Sequence, residues 1–230
     1  ECKGEENAVV WARSGCSGMQ QFPVCWSGDP RSSYEGMAAT LRAGLSMAMS
    51  GVPFWSHDMG GFYGKVTKDI FIRWSQFGLF TSHSRLHGTT TRQPWAYDEE
   101  TKMIVKEAVC LRYKLMPYIW KTAKNCVEQG VPFIRPMVLE CQEDKNTKDM
   151  WDQYFFGEDI LVAPVFGGGM AERDVYLPEG EWEELLGEKR VFKGGRWQTF
   201  TCPLNYIPVF KRKGAEIETG DVKMYMEEPR

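Results

Sequence analysis

Apolar positions in the first half of the chain fall into short runs separated by stretches of helical spacing. Ala8-Val9-Val10-Trp11-Ala12 and Phe22-Pro23-Val24-Cys25-Trp26 read as buried strands. Ser32 and Glu35 form a capping box. It precedes Met37, Leu41, Leu45 and Met49, whose spacing places them on one helix face, and Gly51 stops that helix. Val52-Pro53-Phe54-Trp55 reads as a third short strand. The spacing then predicts a helix from Lys68 to Leu79 with Ile70, Trp74 and Phe77 inward, and a weak strand from Ser82 to His87. Strand, strand, helix, strand, helix, strand is the rhythm of parallel α/β structure. Only about four strands fit, so this half cannot build a complete eight-stranded barrel by itself.

The pattern changes further along. Asp98-Glu99-Glu100 caps a long helix reaching about Gln129, ended by Gly130 and followed by Pro132. Pro117 lies inside it and is expected to kink or divide it. After Arg135-Pro136 comes a continuous apolar run, Asp159 to Phe166, and then short strands near Asp174–Leu177, Trp182–Leu186, Trp197–Thr201 and Ile207–Phe210. Pro178-Glu179-Gly180 and Gly194-Gly195 mark turns, and the whole reads as an antiparallel β module. Gly167-Gly168-Gly169 lacks the strand–glycine–helix context of a phosphate loop and is read as a hairpin turn.

Composition narrows the class. Hydrophobic residues make up 43% of the 230 and charged ones 26%, enough for a real core. A net charge of -3 lacks the basic footprint of a nucleic-acid binder. No run of about 18 apolar residues suggests a membrane span. The polar, acidic start Glu1-Cys2-Lys3-Gly4-Glu5-Glu6 is no signal peptide, and seven cysteines without a Cys-x-x-Cys suit free thiols in a reducing cytoplasm. Aromatic residues reach 13%, nine of them Trp, which serves sugar stacking as well as plain cores.

Chemistry in parallel α/β folds gathers after the C-terminal ends of strands. Here those positions hold Arg13-Ser14, Trp26-Ser27-Gly28-Asp29, His57-Asp58 with Phe62, and Ser84-Arg85-Leu86-His87. Two carboxylates beside aromatic rings suit glycoside hydrolysis, and spacing alone pairs Asp29 with Asp58. Either aspartate could instead be a helix cap or an arginine partner. His57, Asp58, His83 and His87 could serve a metal, but no His-x-x-x-His falls on a predicted helix.

The same residues carry a resemblance. Ala12-Arg13-Ser14, Phe22-Pro23-Val24, Trp26-Ser27-Gly28-Asp29, Phe54-Trp55-Ser56-His57-Asp58-Met59-Gly60-Gly61-Phe62, Ser82-His83-Ser84-Arg85-Leu86-His87-Gly88 and Pro94-Trp95-Ala96-Tyr97 resemble glycoside hydrolase family 31, in its bacterial α-xylosidase branch. Leu115-Met116-Pro117-Tyr118, Ile160-Leu161-Val162-Ala163-Pro164-Val165 and Tyr176-Leu177-Pro178-Glu179-Gly180 fit as well, so the likeness spans about Ala8 to Ile217. One departure is Ser27, where this branch is expected to hold glycine; serine there is common in the glucosidase branch.

The resemblance implies an α/β fold: the C-terminal half of a (β/α)8 TIM-type barrel over residues 1–133, followed by an antiparallel β-sandwich over 134–230. It implies a retaining α-glycosidase that releases terminal α-linked xylose, with an α-glucosidase as the alternative. Asp29 matches the general acid/base, a role that needs a carboxyl still protonated near neutral pH. Arg13, Trp26, Phe62 and His87 match the walls around the cleaved sugar. Asp58 matches a supporting aspartate, which replaces the pairing read from spacing. The nucleophilic aspartate belongs to a segment that would precede Glu1, so the chain is expected to be a piece of the enzyme, inactive alone. No cofactor or metal is implied. The expected partner is an oligosaccharide or α-xyloside, with no nucleic acid and no membrane; a homo-oligomer of the parent enzyme stays open.

Overall fold

The computed structural model describes residues 9–13, 15–22 and 24–225. Three short strands, β1 (Trp11–Ala12), β2 (Val24–Trp26) and β3 (Trp55–Ser56), lie parallel in chain order. Parallel neighbours need a crossover, and α1 (Tyr34–Met49) supplies it between β2 and β3. Val9 and Val10 are exposed ahead of β1, so that strand is shorter than the apolar run predicted; Ala8 and Pro23 lie outside the described residues.

The cap of α1 is Ser33, one residue beyond the predicted Ser32, and its side chain accepts from the Gly36 N–H. Ser32 Oγ accepts instead from Arg92 Nη2 at 3.2 Å. Met37, Leu41 and Leu45 are buried, but Met49 is 55% exposed. A strict spacing of four drifts about 40° per step around a helix of 3.6 residues per turn, and Ala48 takes the last inward place. Gly44 lets α1 seat on β3: a Cβ there would lie 2.9 Å from the Trp55 ring.

The expected strand from Ser82 to His87 reduces to one parallel bridge between Asp58 and Arg85. The Ser82 side chain explains why. Its hydroxyl accepts from the Trp55 N–H and donates to the Trp55 carbonyl, each at 2.7 Å, standing in for backbone pairing. α2 (Lys68–Gly78) is capped by Thr67 and buries Ile70, Trp74 and Phe77 as the spacing predicts. Asp98 caps α3 (Glu99–Lys114). Pro117 opens α4 (Met116–Gln129) and divides it from α3, because the ring has no N–H to continue the ladder. Gly130 ends α4 at φ 68°.

Antiparallel structure begins with β4 (Ile134–Pro136) and a single helical turn, α5 (Met137–Glu140). It continues through β5 (Tyr154–Phe156), β6 (Ile160–Val162), β7 (Ala171–Leu177), β8 (Glu181–Glu184), β9 (Val191–Lys193), β10 (Arg196–Cys202) and β11 (Val209–Arg212). Six strands form a sheet in the order β4-β5-β6-β11-β8-β9, and β7 pairs with β10 as a second sheet. Between the sheets sit Phe155, Leu161, Val175, Leu177, Trp182 and Phe210. Tyr154, Phe156, Ile160 and Val162 belong to the core shared with the helices. Both faces of β5 and β6 are therefore covered, which is why their sequence is apolar without alternation. β4, β5 and β9 escaped the sequence reading because three residues carry too little period.

The glycine run is a correction. β6 and β7 lie in different sheets, so Gly167-Gly168-Gly169 is a crossover between them and not a hairpin turn. It docks on α2: Arg73 donates to the carbonyls of Gly167 at 3.2 Å and Gly169 at 3.1 Å, and the Gly169 N–H donates to Asp69 Oδ2 at 2.8 Å. Part of a parallel barrel is thus followed by a β-sandwich. Among the described residues no helix is long and apolar enough to cross a membrane.

Candidate active site

β2 runs directly into Ser27-Gly28-Asp29. Gly28 has φ 84°, in the left-handed region where only glycine is at ease, and a Cβ would meet Arg13 Nε at 3.3 Å. The turn sets Asp29 beside two donors. Arg13 Nη1 donates to Asp29 Oδ2 at 3.5 Å, and the Tyr63 hydroxyl donates to the same oxygen at 3.4 Å. The Asp29 side chain keeps 17% of its surface exposed, enough for a ligand to reach it.

Aromatic rings surround this carboxylate. The guanidinium of Arg13 lies 5.1 Å from the Trp26 ring centre, and that of Arg85 lies 4.8 Å from it. Tyr63 meets Phe62 edge-on at 4.8 Å, and Phe62 lies 5.5 Å from the His87 ring. Contacts therefore link Arg13, Trp26, Asp29, Phe62 and His87 into one continuous set through Tyr63. Sequence reasoning did not single out Tyr63; its only signal was its place beside Phe62 in the loop after β3.

Asp58 lies near enough to Asp29 for the second carboxylate to help raise its pKa, but its surroundings differ. It is fully buried, and Arg85 Nε and Nη2 both reach its Oδ1, at 2.7 Å and 2.6 Å. Burial pushes its carboxyl above the ordinary aspartate range, with Arg85 opposing the shift. Both donors fall on one oxygen, so the buried carboxylate holds the Arg85 guanidinium in place while its Oδ2 has no partner among the described residues. Arg85 is the second residue left unassigned by the sequence; its bridge to Asp58 across 27 positions had no local signal. Arg112, on α3, steadies the approach to it by donating to the carbonyls of Leu79, Thr81 and Ser82.

His57 and His83 are structural. His57 has no exposed surface and stacks between Trp55 and Phe77, each 4.8 Å away. Trp74 Nε1 donates to its Nδ1 at 3.0 Å, which places the imidazole proton on Nε2. Burial, with Arg112 and Arg85 adding to it, lowers the His57 pKa from 6.5 to about 3; burial and Arg112 lower that of His83 to about 4. In the unfolded chain both rings take up a proton near the usual value of 6.5. Between these limits the unfolded state binds more protons, so this stability is complete above 6.5 and is lost as the pH falls toward 4 and then 3. The expected slope is about 1.4 kcal/mol per pH unit for each ring. Urea unfolding from pH 7 down to about 4.5 measures it, and His57→Gln should remove one ring's share of the slope. An unchanged slope in that variant would count against the assignment.

Five buried polar atoms at this end of the strands have no hydrogen-bond partner among the described residues: Trp26 Nε1, Ser27 Oγ, Asp29 Oδ1, Ser56 Oγ and Asp58 Oδ2. Such atoms cost about 1–3 kcal/mol each when left unpaired, and a cluster of them marks a place prepared for polar contacts. Among the described residues no group of three His, Cys, Asp or Glu could hold a metal ion. The four residues considered for a metal are divided: His57 and Asp58 are enclosed, whereas His87 is exposed.

The chain as a whole is similar to known proteins. Residues 1–122 match the glycosyl hydrolases family 31 TIM-barrel domain, and residues 130–217 match the glycosyl hydrolase family 31 C-terminal domain. An alpha-xylosidase of Emericella nidulans is 40% identical over 221 residues, covering 92% of this chain and 28% of that protein. Alpha-glucosidase 2 of Bacillus thermoamyloliquefaciens is 34% identical, covering 94% of this chain and 28% of its own length. The cycloalternan-forming enzyme of Listeria monocytogenes, solved with a pentasaccharide substrate, superposes with a TM-score of 0.89 at 35% identity, covering 94% of this chain and 21% of that one. The chain thus spans less than a third of the length of these relatives.

Proposed function

The chain belongs to glycoside hydrolase family 31, and on that premise we propose that it forms part of a retaining α-glycosidase that releases terminal α-linked xylose. The carrying observation is the Asp29 carboxylate, partly exposed after β2 and flanked by Arg13, Tyr63 and Trp26. In this reading Asp29 protonates the leaving oxygen and later takes the proton of the attacking water. The unpartnered Trp26 Nε1 donates to a sugar hydroxyl, and Arg13, Phe62 and His87 wall the same sugar. A retaining mechanism also needs a nucleophilic carboxylate about 5–5.5 Å from the acid/base. Because Arg85 occupies Asp58, we assign the nucleophile to protein outside these 230 residues. We also propose that the barrel part ends near residue 133 and the sandwich part starts at 134, where β4 begins.

Xylose is favoured over glucose by the stretch Ser84-Arg85-Leu86-His87 and by similarity to α-xylosidases from Emericella nidulans and Saccharolobus solfataricus. Xylose lacks the C6 hydroxymethyl group, so a pocket for it can be closed where a glucosidase must stay open. In the full-length enzyme carrying this chain, aryl α-xylosides are expected to show at least about tenfold higher kcat/KM than aryl α-glucosides, equal to about 1.4 kcal/mol in transition-state binding. A tenfold preference for glucosides would transfer the assignment to the α-glucosidase alternative.

A further inference from the structure

Three connections meet at one buried guanidinium. Asp29 lies in the loop after β2, Phe62 and Tyr63 lie in the loop after β3, and His87 follows the bridge between Asp58 and Arg85. Arg92 comes five residues after His87 and is only 4% exposed. Its Nη2 donates to Ser32 Oγ in the first loop at 3.2 Å. Its Nε donates to the Gly61 carbonyl at 3.0 Å, and Nη2 reaches the Phe62 carbonyl at 3.5 Å, both in the second loop. Its Nη1 donates to the carbonyls of Thr90 at 2.9 Å and Thr91 at 3.2 Å in the third. Among the described residues these acceptors are carbonyls and hydroxyls, with no carboxylate. The planar fork of donors, not an ion pair, therefore holds the three loops.

The clamp is continuous with the backbone beside Asp29. The Pro30 carbonyl accepts from the Phe62 N–H at 2.7 Å and from the Tyr63 N–H at 3.1 Å, and the Ser32 N–H donates to the Tyr63 carbonyl at 2.8 Å. A parallel bridge between Arg31 and Tyr63 completes this seam. The Thr89 N–H donates to the Phe62 carbonyl at 2.9 Å, which ties the third loop to the same point. The packing leaves no slack: a Cβ on Gly61 would lie 2.7 Å from the Ser32 Cα, and one on Gly88 would lie 2.7 Å from Arg92 Nη2. A buried guanidinium is tolerable only with its hydrogen bonds made, so the loops move apart only at the cost of those bonds.

We propose that Arg92 is a positioning residue for the acid/base: by gripping Ser32, Gly61 and Thr90 it fixes where the Asp29 carboxyl stands relative to Phe62, Tyr63 and His87. The inference rests on the reading of Asp29 as the acid/base. Proton transfer needs the donor within hydrogen-bond reach of the leaving oxygen. A misplacement of about 1 Å, even from a change remote from the chemistry, can cost about 10²-fold. Arg92 acts through the seam from Pro30 to Ser32, not by touching the carboxyl. Displacing the acid has a signature that general loosening lacks: it slows leaving groups that need a proton more than those that depart without one.

The test compares kcat/KM of the full-length enzyme for an alkyl α-xyloside and for an aryl α-xyloside with an acidic phenol. Arg92→Met is expected to lower the alkyl-to-aryl ratio about tenfold, chiefly through kcat for the alkyl substrate. Arg92→Lys keeps the charge but not the fork and should recover only part of the ratio. Ser32→Ala removes the single link between Arg92 and the Asp29 loop that runs through a side chain. It should lower the ratio about threefold with little change in the urea unfolding midpoint. Should Arg92→Met fail to fold, Ser32→Ala decides. A ratio unchanged in Ser32→Ala and in every folded Arg92 variant overturns the positioning role and leaves the acid/base reading standing. A ratio unchanged in Asp29→Asn overturns that reading, and this inference with it.

Discussion

Asp29→Asn in the full-length enzyme is expected to lower turnover of α-xylosides with alkyl or sugar leaving groups by about 10²–10⁴-fold, the usual worth of a positioned proton donor. The amide can fill the place between Arg13 and Tyr63, so the fold should survive, but it has no proton to give the departing oxygen. Aryl glycosides with acidic leaving groups depart without that help, and their first step should be much less affected. The second step then limits the rate, because no base activates water. Added azide, which needs no base, should restore turnover of the aryl substrate. Equal loss for good and poor leaving groups, with the first step rate-limiting and no azide rescue, would sink the acid/base assignment.

Arg73→Met should produce the largest loss of stability of any single change considered. The side chain is 1% exposed and donates to five carbonyls: Gly167, Gly169, Cys202, Pro203 and Tyr206. These acceptors come from the β6–β7 connection, the end of β10 and the connection from β10 to β11, while the donor comes from α2. Methionine fills similar space but withdraws the guanidinium from all five, and the Pro203 carbonyl keeps the Tyr206 N–H as a donor. Water and local relaxation recover part of the cost, so the expected decrease in unfolding free energy is about 3–5 kcal/mol. That is a large share of the roughly 5–15 kcal/mol that a folded domain possesses. Urea unfolding at neutral pH measures it, and a loss below about 1 kcal/mol would contradict the clamp. Arg73→Lys keeps the charge but not the planar fork, and should fall between the two.

Much of the local structure was legible in the chain because the signals were local. The spacing of Ile70, Trp74 and Phe77 gave α2 its buried face, Asp98 marked the start of α3, and Pro117 divided α3 from α4. The motif Trp26-Ser27-Gly28-Asp29 pointed to the family from the text alone. Each of these depends on a helical period, a missing N–H or a run of neighbouring residues.

What tertiary structure decided are the pairings. Asp29 and Asp58 look alike in sequence, each a strand-end aspartate. Only the return of the chain at Arg85 encloses one of them, while Arg13 and Tyr63 reach the other across 16 and 34 positions. The glycine run has the composition of a tight turn, yet it crosses between sheets because β6 and β7 find different partners. The pattern of apolar residues reports that a face is buried, not which surface covers it. Partner choice belongs to long-range packing, where α1 and α2 set the distance between successive strand ends and so decide which polar side chains meet.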